Sequence, residues 1–275
     1  MTDASITTPG APSAFPALPN LRDLGGWAGV DGRPVRHRLL YRSTDFRALH
    51  DADAADRVAR ELGLRTVYDL RSAAESGALP DPVWADVTGI HLDVLADAAA
   101  SVPANLVAVL TDPSAVIEMN KYLEGGAGIT LMSGTYREMI TLDSARRSYR
   151  RFYEGLLGQD RSPALFHCTT GKDRTGWAAA SFLSLMGVSR DDVFTDYLLT
   201  NDRLLPALAP IFDEFTAAGG DADGLRDVLG VRAEYLTAAF DEVDRVHGSV
   251  EAYFRDGLGI EVSAQRALRA RFLAD

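Results

Sequence analysis

A chain of 275 residues with 47% hydrophobic and 24% charged side chains carries enough apolar material for a sizeable core, which excludes an intrinsically disordered segment. Its net charge of −11 excludes a general affinity for nucleic acid or anionic membrane and confines any anion binding to a local basic pocket. One cysteine, Cys168, excludes an intramolecular disulfide framework and a cysteine-rich metal site, and with no leader-like start and no apolar run of membrane-spanning length the default location is cytoplasmic, without stable membrane insertion.

Residues 1–19, rich in Pro, Ala, Thr and Ser, read as a poorly ordered arm, and one domain is expected over 20–275. The D-G pair within Leu24 to Val35 predicts a hairpin leading into the apolar run Leu39 to Tyr41. Aspartates at 51 and 53, then Ala54, Val58 and Leu62 at spacing four, then Gly63, predict a short amphipathic helix. Val67 and Tyr68 predict a buried strand ending near Asp69, and a second strand is expected over Val87 to Leu92. Residues 94–140, interrupted by Pro103 and by the glycines of L-E-G-G-A-G, break this rhythm. They are expected to be inserted helices, either a mobile cover over a site or ordinary surface. Ala145, Tyr149, Phe152, Tyr153 and Leu156 fall on one face of a helix, and Pro163 opens the apolar strand P-A-L-F-H. A second apolar helix begins near Thr175, and the chain from Asp191 reads as mostly helical, with acidic faces taken as solvated surface. The alternation of helix and strand predicts an α/β fold.

Between the strand ending at His167 and the helix near Thr175 lies C-T-T-G-K-D-R. Five residues separate Cys168 from Arg174, enough for a loop that curls its N–H groups inward while the arginine folds back to offer a bidentate fork to an anion. Gly171 frees the curl, and the helix N-terminus adds positive potential. The same field stabilises a thiolate at Cys168, poised to attack a bound phosphoryl group and form a phosphocysteine that water later hydrolyses. Thr169, Thr170, Gly171, Lys172, Asp173 and Arg174 are the candidate phosphate-binding residues, and the Thr175 hydroxyl is placed to ease departure of the sulfur. His167 is read as orienting the loop or tuning the thiolate, since side chains alternate across a strand. A nucleotide-binding P-loop is excluded, because its first glycine position falls on Phe166 and its hydroxyl position on Asp173.

H-C-T-T-G-K-D-R-T-G, His167 to Gly176, resembles the signature of the cysteine-dependent protein tyrosine phosphatases, in particular the bacterial tyrosine/serine branch. N-L-R-D-L-G-G (Asn20 to Gly26), L-L-Y-R-S-T (Leu39 to Thr44), V-Y-D-L-R-S (Val67 to Ser72) and M-S-G-T-Y-R-E-M (Met132 to Met139) extend the likeness over residues 20 to about 180. The resemblance implies a protein tyrosine phosphatase-like fold, a central mostly parallel sheet flanked by helices with a helical lid. It also implies no metal or organic cofactor, and activity on phosphotyrosine with phosphoserine, phosphothreonine or phosphoinositides as further substrates. It carries the nucleophile onto Cys168 and the phosphate clamp onto Arg174, matches Asp69, Lys172 and Asp173 to active-site positions, and allows signal-less secretion.

The acid that protonates the leaving group is expected to be Asp69 first, Asp173 second and Asp93 third, with Asp97 also within a loop's reach. Arg42 and Arg71 are read either as helpers in holding anions or as partners in a surface salt bridge. Lys172 raises a phosphoinositide as the main substrate. Two competing readings keep the loop but not the reaction: a catalytically weak phosphate-binding module, and a sulfur-transfer enzyme. Neither the physiological partner nor the oligomeric state is readable.

Overall fold

The computed structural model describes residues 8–49, 51–98, 116, 120–121, 123–158 and 162–275. Five short strands, β1 (Arg22–Asp23), β2 (Leu40–Ser43), β3 (Thr66–Asp69), β4 (Thr88–His91) and β5 (Ala164–His167), form one sheet in the order β1-β2-β5-β3-β4. Only β1 runs antiparallel, so the sheet is the mostly parallel one expected. Register sets Ser43 and Asp69 on either side of His167, which brings the ends of β2 and β3 beside the start of the Cys168 loop. That is the carboxyl edge of the sheet, where open α/β folds place their ligands.

Period-two alternation feeds two cores. Leu40, Tyr68, Ala164 and Phe166 belong to the larger one, Tyr41, Val67 and Leu165 to the smaller. Helix α1 (Ala52–Leu62) covers the smaller face with Val58. It starts at Asp51, whose carboxylate accepts from the Ala54 amide, and stops at Gly63 in the left-handed region at φ 64°, as its sequence predicts. After the short α2 (Ala73–Ala78), helices α3 (Ala127–Thr141) and α4 (Asp143–Leu157) enter the larger face. Tyr149, Phe152, Tyr153 and Leu156 of α4 are fully buried, the face that periodicity predicts, and Phe152 meets Tyr68, Tyr153 and Phe166 at ring distances of 5.0 to 5.1 Å. Helix α5 (Arg174–Leu185) follows β5 through the larger core, and α6 (Arg190–Leu204), α7 (Ala209–Ala217), α8 (Ala222–Leu229), α9 (Ala233–His247), the one-turn α10 (Val250–Ala252) and α11 (Val262–Phe272) complete the helical layer. None of the described helices is long and apolar enough to cross a membrane.

Two stretches differ from their expected roles. Residues 1–7 of the expected arm lie outside the described residues, but Phe15 and Leu18 are buried in the smaller core with Tyr41, Phe46, Val58 and Trp84. The Pro- and Ala-rich composition hid two anchors that dock residues 8–19. In the expected insertion over 94–140, residues 99–115, 117–119 and 122 lie outside the described residues, Pro103 among them. Its last part is α3, whose Met132, Tyr136, Met139 and Ile140 are buried and which packs along α9. That helix is core, because its apolar side faces a partner distant in sequence.

If residues 8–19 are part of the folded unit, Leu18→Ala will lower unfolding free energy by about 2 to 5 kcal/mol. Urea denaturation checks it, and a change below about 0.5 kcal/mol would mark the segment as a loose arm.

Candidate active site

β5 delivers the chain to Cys168 at the sheet edge, and the following loop is held from its outer side. His167 Nδ1 bonds the Cys168 carbonyl at 3.0 Å, and the Asp45 amide bonds that of Thr169 at 3.1 Å. Asn20 Nδ2 donates to the carbonyls of Thr170 (3.3 Å) and Gly171 (2.9 Å), and Arg42 also donates to that of Gly171 (2.9 Å). These peptides are trans, so each outward carbonyl turns the next N–H the other way. The N–H groups of Thr169, Thr170, Gly171 and Lys172 therefore point away from those contacts, and none has a protein acceptor among the described residues. Free N–H groups in a loop at a helix N-terminus are the donors an anion nest uses. Gly171 makes the curl with φ of 68°, and a Cβ there would lie 2.2 Å from the Ser43 carbonyl, so both conformation and space require glycine.

Arg174, the first residue of α5, is gripped by Glu75 through both carboxylate oxygens, at 2.6 and 2.9 Å. Glu75 also accepts from the Thr169 hydroxyl and from the Ser72 amide at 2.9 Å, the latter closing the capping box of α2. One carboxylate thus starts a helix and aims an arginine. Cys168 is 2% exposed at the base of the loop. Thr175, fully buried on the first turn of α5, has a hydroxyl with no protein partner among the described residues. Lys172 is nearly buried, and its ammonium is spent on Asp173, at 2.9 and 2.7 Å. Asp173 also accepts from the Tyr136 hydroxyl at 3.0 Å, and Tyr136 in turn pairs with Tyr197.

The profile described as the tyrosine phosphatase family matches residues 13–274. The chain belongs to that family. It is 34% identical to the triple specificity protein phosphatase PtpB of Mycobacterium tuberculosis over 285 aligned residues, covering 94% of this chain and 98% of that one. A putative tyrosine-protein phosphatase of Cupriavidus necator is 32% identical over 95% of this chain and 88% of its own. The present chain is thus a protein-tyrosine phosphatase, a hydrolase of phosphoric monoesters.

Two buried charge clusters support the phosphatase's loop. Behind it, Arg22 and Arg42 face each other across the β1–β2 pair, and Asp196 of α6 lies between them at 2.9 and 2.7 Å. Burial alone would raise the Asp196 pKa, but the two guanidiniums and their hydrogen bonds hold it below the ordinary carboxylate range. Burial and the like charge of Arg22 bring Arg42 down to about 10, with Asp196 opposing. Beside the loop, Arg71 forks onto Asp69 with two bonds of 2.8 Å, reaches Asp81 at 2.7 Å, and lies 3.6 Å from Asp45. Glu75 is driven well below its usual range because the Arg174 hydrogen bonds and charge, with the Thr169 hydroxyl, outweigh burial.

The candidate acids are distributed unequally. Both Asp69 oxygens serve Arg71, and although burial would raise its pKa, Arg71 and the charge of His167 hold it at about 2. Asp93 caps the first turn of α2 through the Ala73 amide (2.8 Å) and its own turn through Leu95 (3.0 Å). Asp97 caps α4 through the Ser144 amide at 2.7 Å and pairs with Arg147. Arg42 and Arg71 pair with carboxylates, but both are buried, at 0% and 1% exposure, where their sequence suggested a surface salt bridge. Asp69, Asp81 and His167 each bring one potential metal-ligand atom within 4.8 Å of the others, but the bonds from Arg71 and between His167 and Asp81 already occupy those atoms.

Sequence reading missed Glu75, Asp81, Asp196 and Tyr136. The pair Ser72 and Glu75 was visible as a capping signature, which marks a helix start and says nothing of Arg174.

A carboxylate with a lowered pKa stabilises the fold above its unfolded value and loses that contribution as pH falls through the folded value. For Asp69 this window runs from about pH 4 to about pH 2, and the contribution is roughly 2 kcal/mol. In urea titrations, Asp69→Asn should flatten the pH dependence of unfolding free energy across that window. An unchanged slope would place the linkage elsewhere.

Proposed function

We propose that this phosphatase hydrolyses phosphotyrosine in proteins through a phosphocysteine on Cys168, and that it also accepts phosphoserine and phosphothreonine. One observation carries the reading: each carbonyl of the Cys168–Gly171 stretch has a protein partner, while the four N–H groups that follow them, in the loop between Cys168 and Arg174, have none among the described residues. Phosphoryl oxygens would take those donors and the Arg174 N–H groups that Glu75 leaves free, which holds phosphorus in line with the sulfur. In the first step the thiolate forms the S–P bond, the P–O bond to the substrate breaks, and the leaving oxygen takes a proton. In the second, water attacks phosphorus, the S–P bond breaks, and orthophosphate leaves. The unpartnered Thr175 hydroxyl is available to donate to the departing sulfur.

We place Asp173 ahead of Asp69 as the acid on position. Asp69 is 5% exposed with both oxygens clasped by Arg71, which helps hold it at about 2. Asp173 borders the loop with a side chain 20% exposed, and Tyr136 and Lys172 fix its direction. Asp69 instead keeps Arg71 in place. The wide substrate range draws support from the name of the mycobacterial relative, a triple specificity phosphatase. A phosphoinositide preference draws little from Lys172, because its ammonium is committed to Asp173. Simple phosphate binding would have no use for a cysteine facing the nest.

Orthophosphate release from para-nitrophenyl phosphate, measured in EDTA, is expected for the native protein and absent for Cys168→Ser. Equal release by both would refute thiolate chemistry. Asp173→Asn should lower kcat by about 10²-fold or more on phosphoserine peptides, with a smaller loss on para-nitrophenyl phosphate, whose leaving group needs little protonation. Equal losses on both would remove Asp173 as the acid, and a selective loss in Asp69→Asn would restore Asp69.

A further inference from the structure

His167 is fully buried, yet both of its ring nitrogens meet groups that only accept hydrogen bonds. Nδ1 lies 3.0 Å from the Cys168 carbonyl, and Nε2 lies 2.9 Å from Asp81 Oδ2. The other Asp81 oxygen accepts from the Arg71 guanidinium at 2.7 Å. A neutral imidazole has one donor, so satisfying both contacts requires the imidazolium. Around His167 stand three carboxylates, Asp45, Asp69 and Asp81, and two guanidiniums, Arg47 and Arg71, a group one positive charge short before the Cys168 sulfur is counted. Of the other described neighbours, the edge of Phe46 lies against the ring, and His91 turns its Nε2 to the Arg71 carbonyl. Burial alone would lower the His167 pKa, but the hydrogen bond and charge of Asp81, then Asp69 and the Cys168 carbonyl, raise it above the ordinary histidine value.

We propose that Asp81 is a positioning residue for the nucleophile: its carboxylate holds the His167 imidazolium against the Cys168 carbonyl, keeping a positive charge one residue from the thiolate and the first outward carbonyl in place. Asp81 lies on the segment after α2, far in sequence from the loop, and its two oxygens join two cations. One is Arg71, which fixes Asp69; the other is His167, which fixes the start of the nest. Without the Asp81 charge, a fully buried imidazolium loses its nearest counter-ion and gives up its proton. The thiolate then loses a favourable neighbour at acidic pH, where its ionisation needs help. This inference rests on the phosphocysteine reading for its consequence in turnover, although the charge on Cys168 can be measured without turnover.

The test compares native protein, Asp81→Asn and Asp81→Glu in the rate of iodoacetamide capture of Cys168, followed by intact mass at about pH 5.5 and about pH 9. Asp81→Asn should slow capture by about fivefold or more at the lower pH, leave it unchanged at the higher, and shift the acid limb of kcat/KM for para-nitrophenyl phosphate upward. Asp81→Glu should restore most of the loss. In the native protein, ¹⁵N spectra should show His167 still doubly protonated at the pH where an ordinary histidine is half neutral, a reading that needs no variant. A folded Asp81→Asn that is captured at the native rate at low pH, or slowed equally at both, overturns the proposal, as does a neutral His167 at about pH 6 in the native protein. If capture responds as expected but the native protein releases no phosphate, the phosphocysteine reading fails and the Asp81 assignment stands.

Discussion

Everything at the sheet edge depends on where four carbonyl groups point. Backbone polar groups cannot be buried unpaired, and a loop of alternating peptides can satisfy only one side with its own fold. Here the carbonyls are satisfied, by His167, Asp45, Asn20 and Arg42, and the N–H groups have no acceptor among the described residues. A loop fixed in this way does not have to reorganise when an anion arrives, which is what makes such a site effective for chemistry in which negative charge is held and moved. Each upstream motif supplies one piece of that fixation. Asn20 and Arg22 come from N-L-R-D-L-G-G, Arg42 from L-L-Y-R-S-T, and Asp69 with Arg71 from V-Y-D-L-R-S.

The cost of this arrangement is buried charge. Arg22, Arg42, Arg71, Asp45, Asp69 and Asp196 are all at or below 5% exposure, and apolar residues of similar volume would in general be as stable or more so. What the charges provide is direction. Arg42 is anchored by Asp196 on one side and delivers its other nitrogen to Gly171, and Glu75 does the same for Arg174 from the first turn of α2.

Much of this was legible in the sequence because the information is local. Cys168 and Arg174 lie in one loop between a readable strand and a readable helix, and Gly171 marks its curl. The helix from Asp51 to Gly63 carries its own caps, and Phe152 and Tyr153 lie on a periodic face. The missing parts depend on contacts distant in sequence. Asp196 belongs to a helix whose acidic residues look solvated, and only the β1–β2 pair gives it two arginines. Phe15 and Leu18 sit in a Pro- and Ala-rich stretch that reads as loose until Tyr41 and Trp84 are placed beside them. The position of Asp69 at a strand end is readable, but not that Arg71 takes both of its oxygens.

The central claim is that the nest delivers a phosphoryl group to the Cys168 sulfur. Its most direct test is acid-quenched turnover of a ³²P-labelled phosphotyrosine peptide, with the label located by peptide mapping. The account predicts transient labelling of the peptide that contains Cys168, through a bond with the acid and base stability of a thiophosphate, and no labelling in Arg174→Ala. Steady release of orthophosphate with no label on Cys168 at any quench time, or label on a histidine or carboxylate instead, would contradict it.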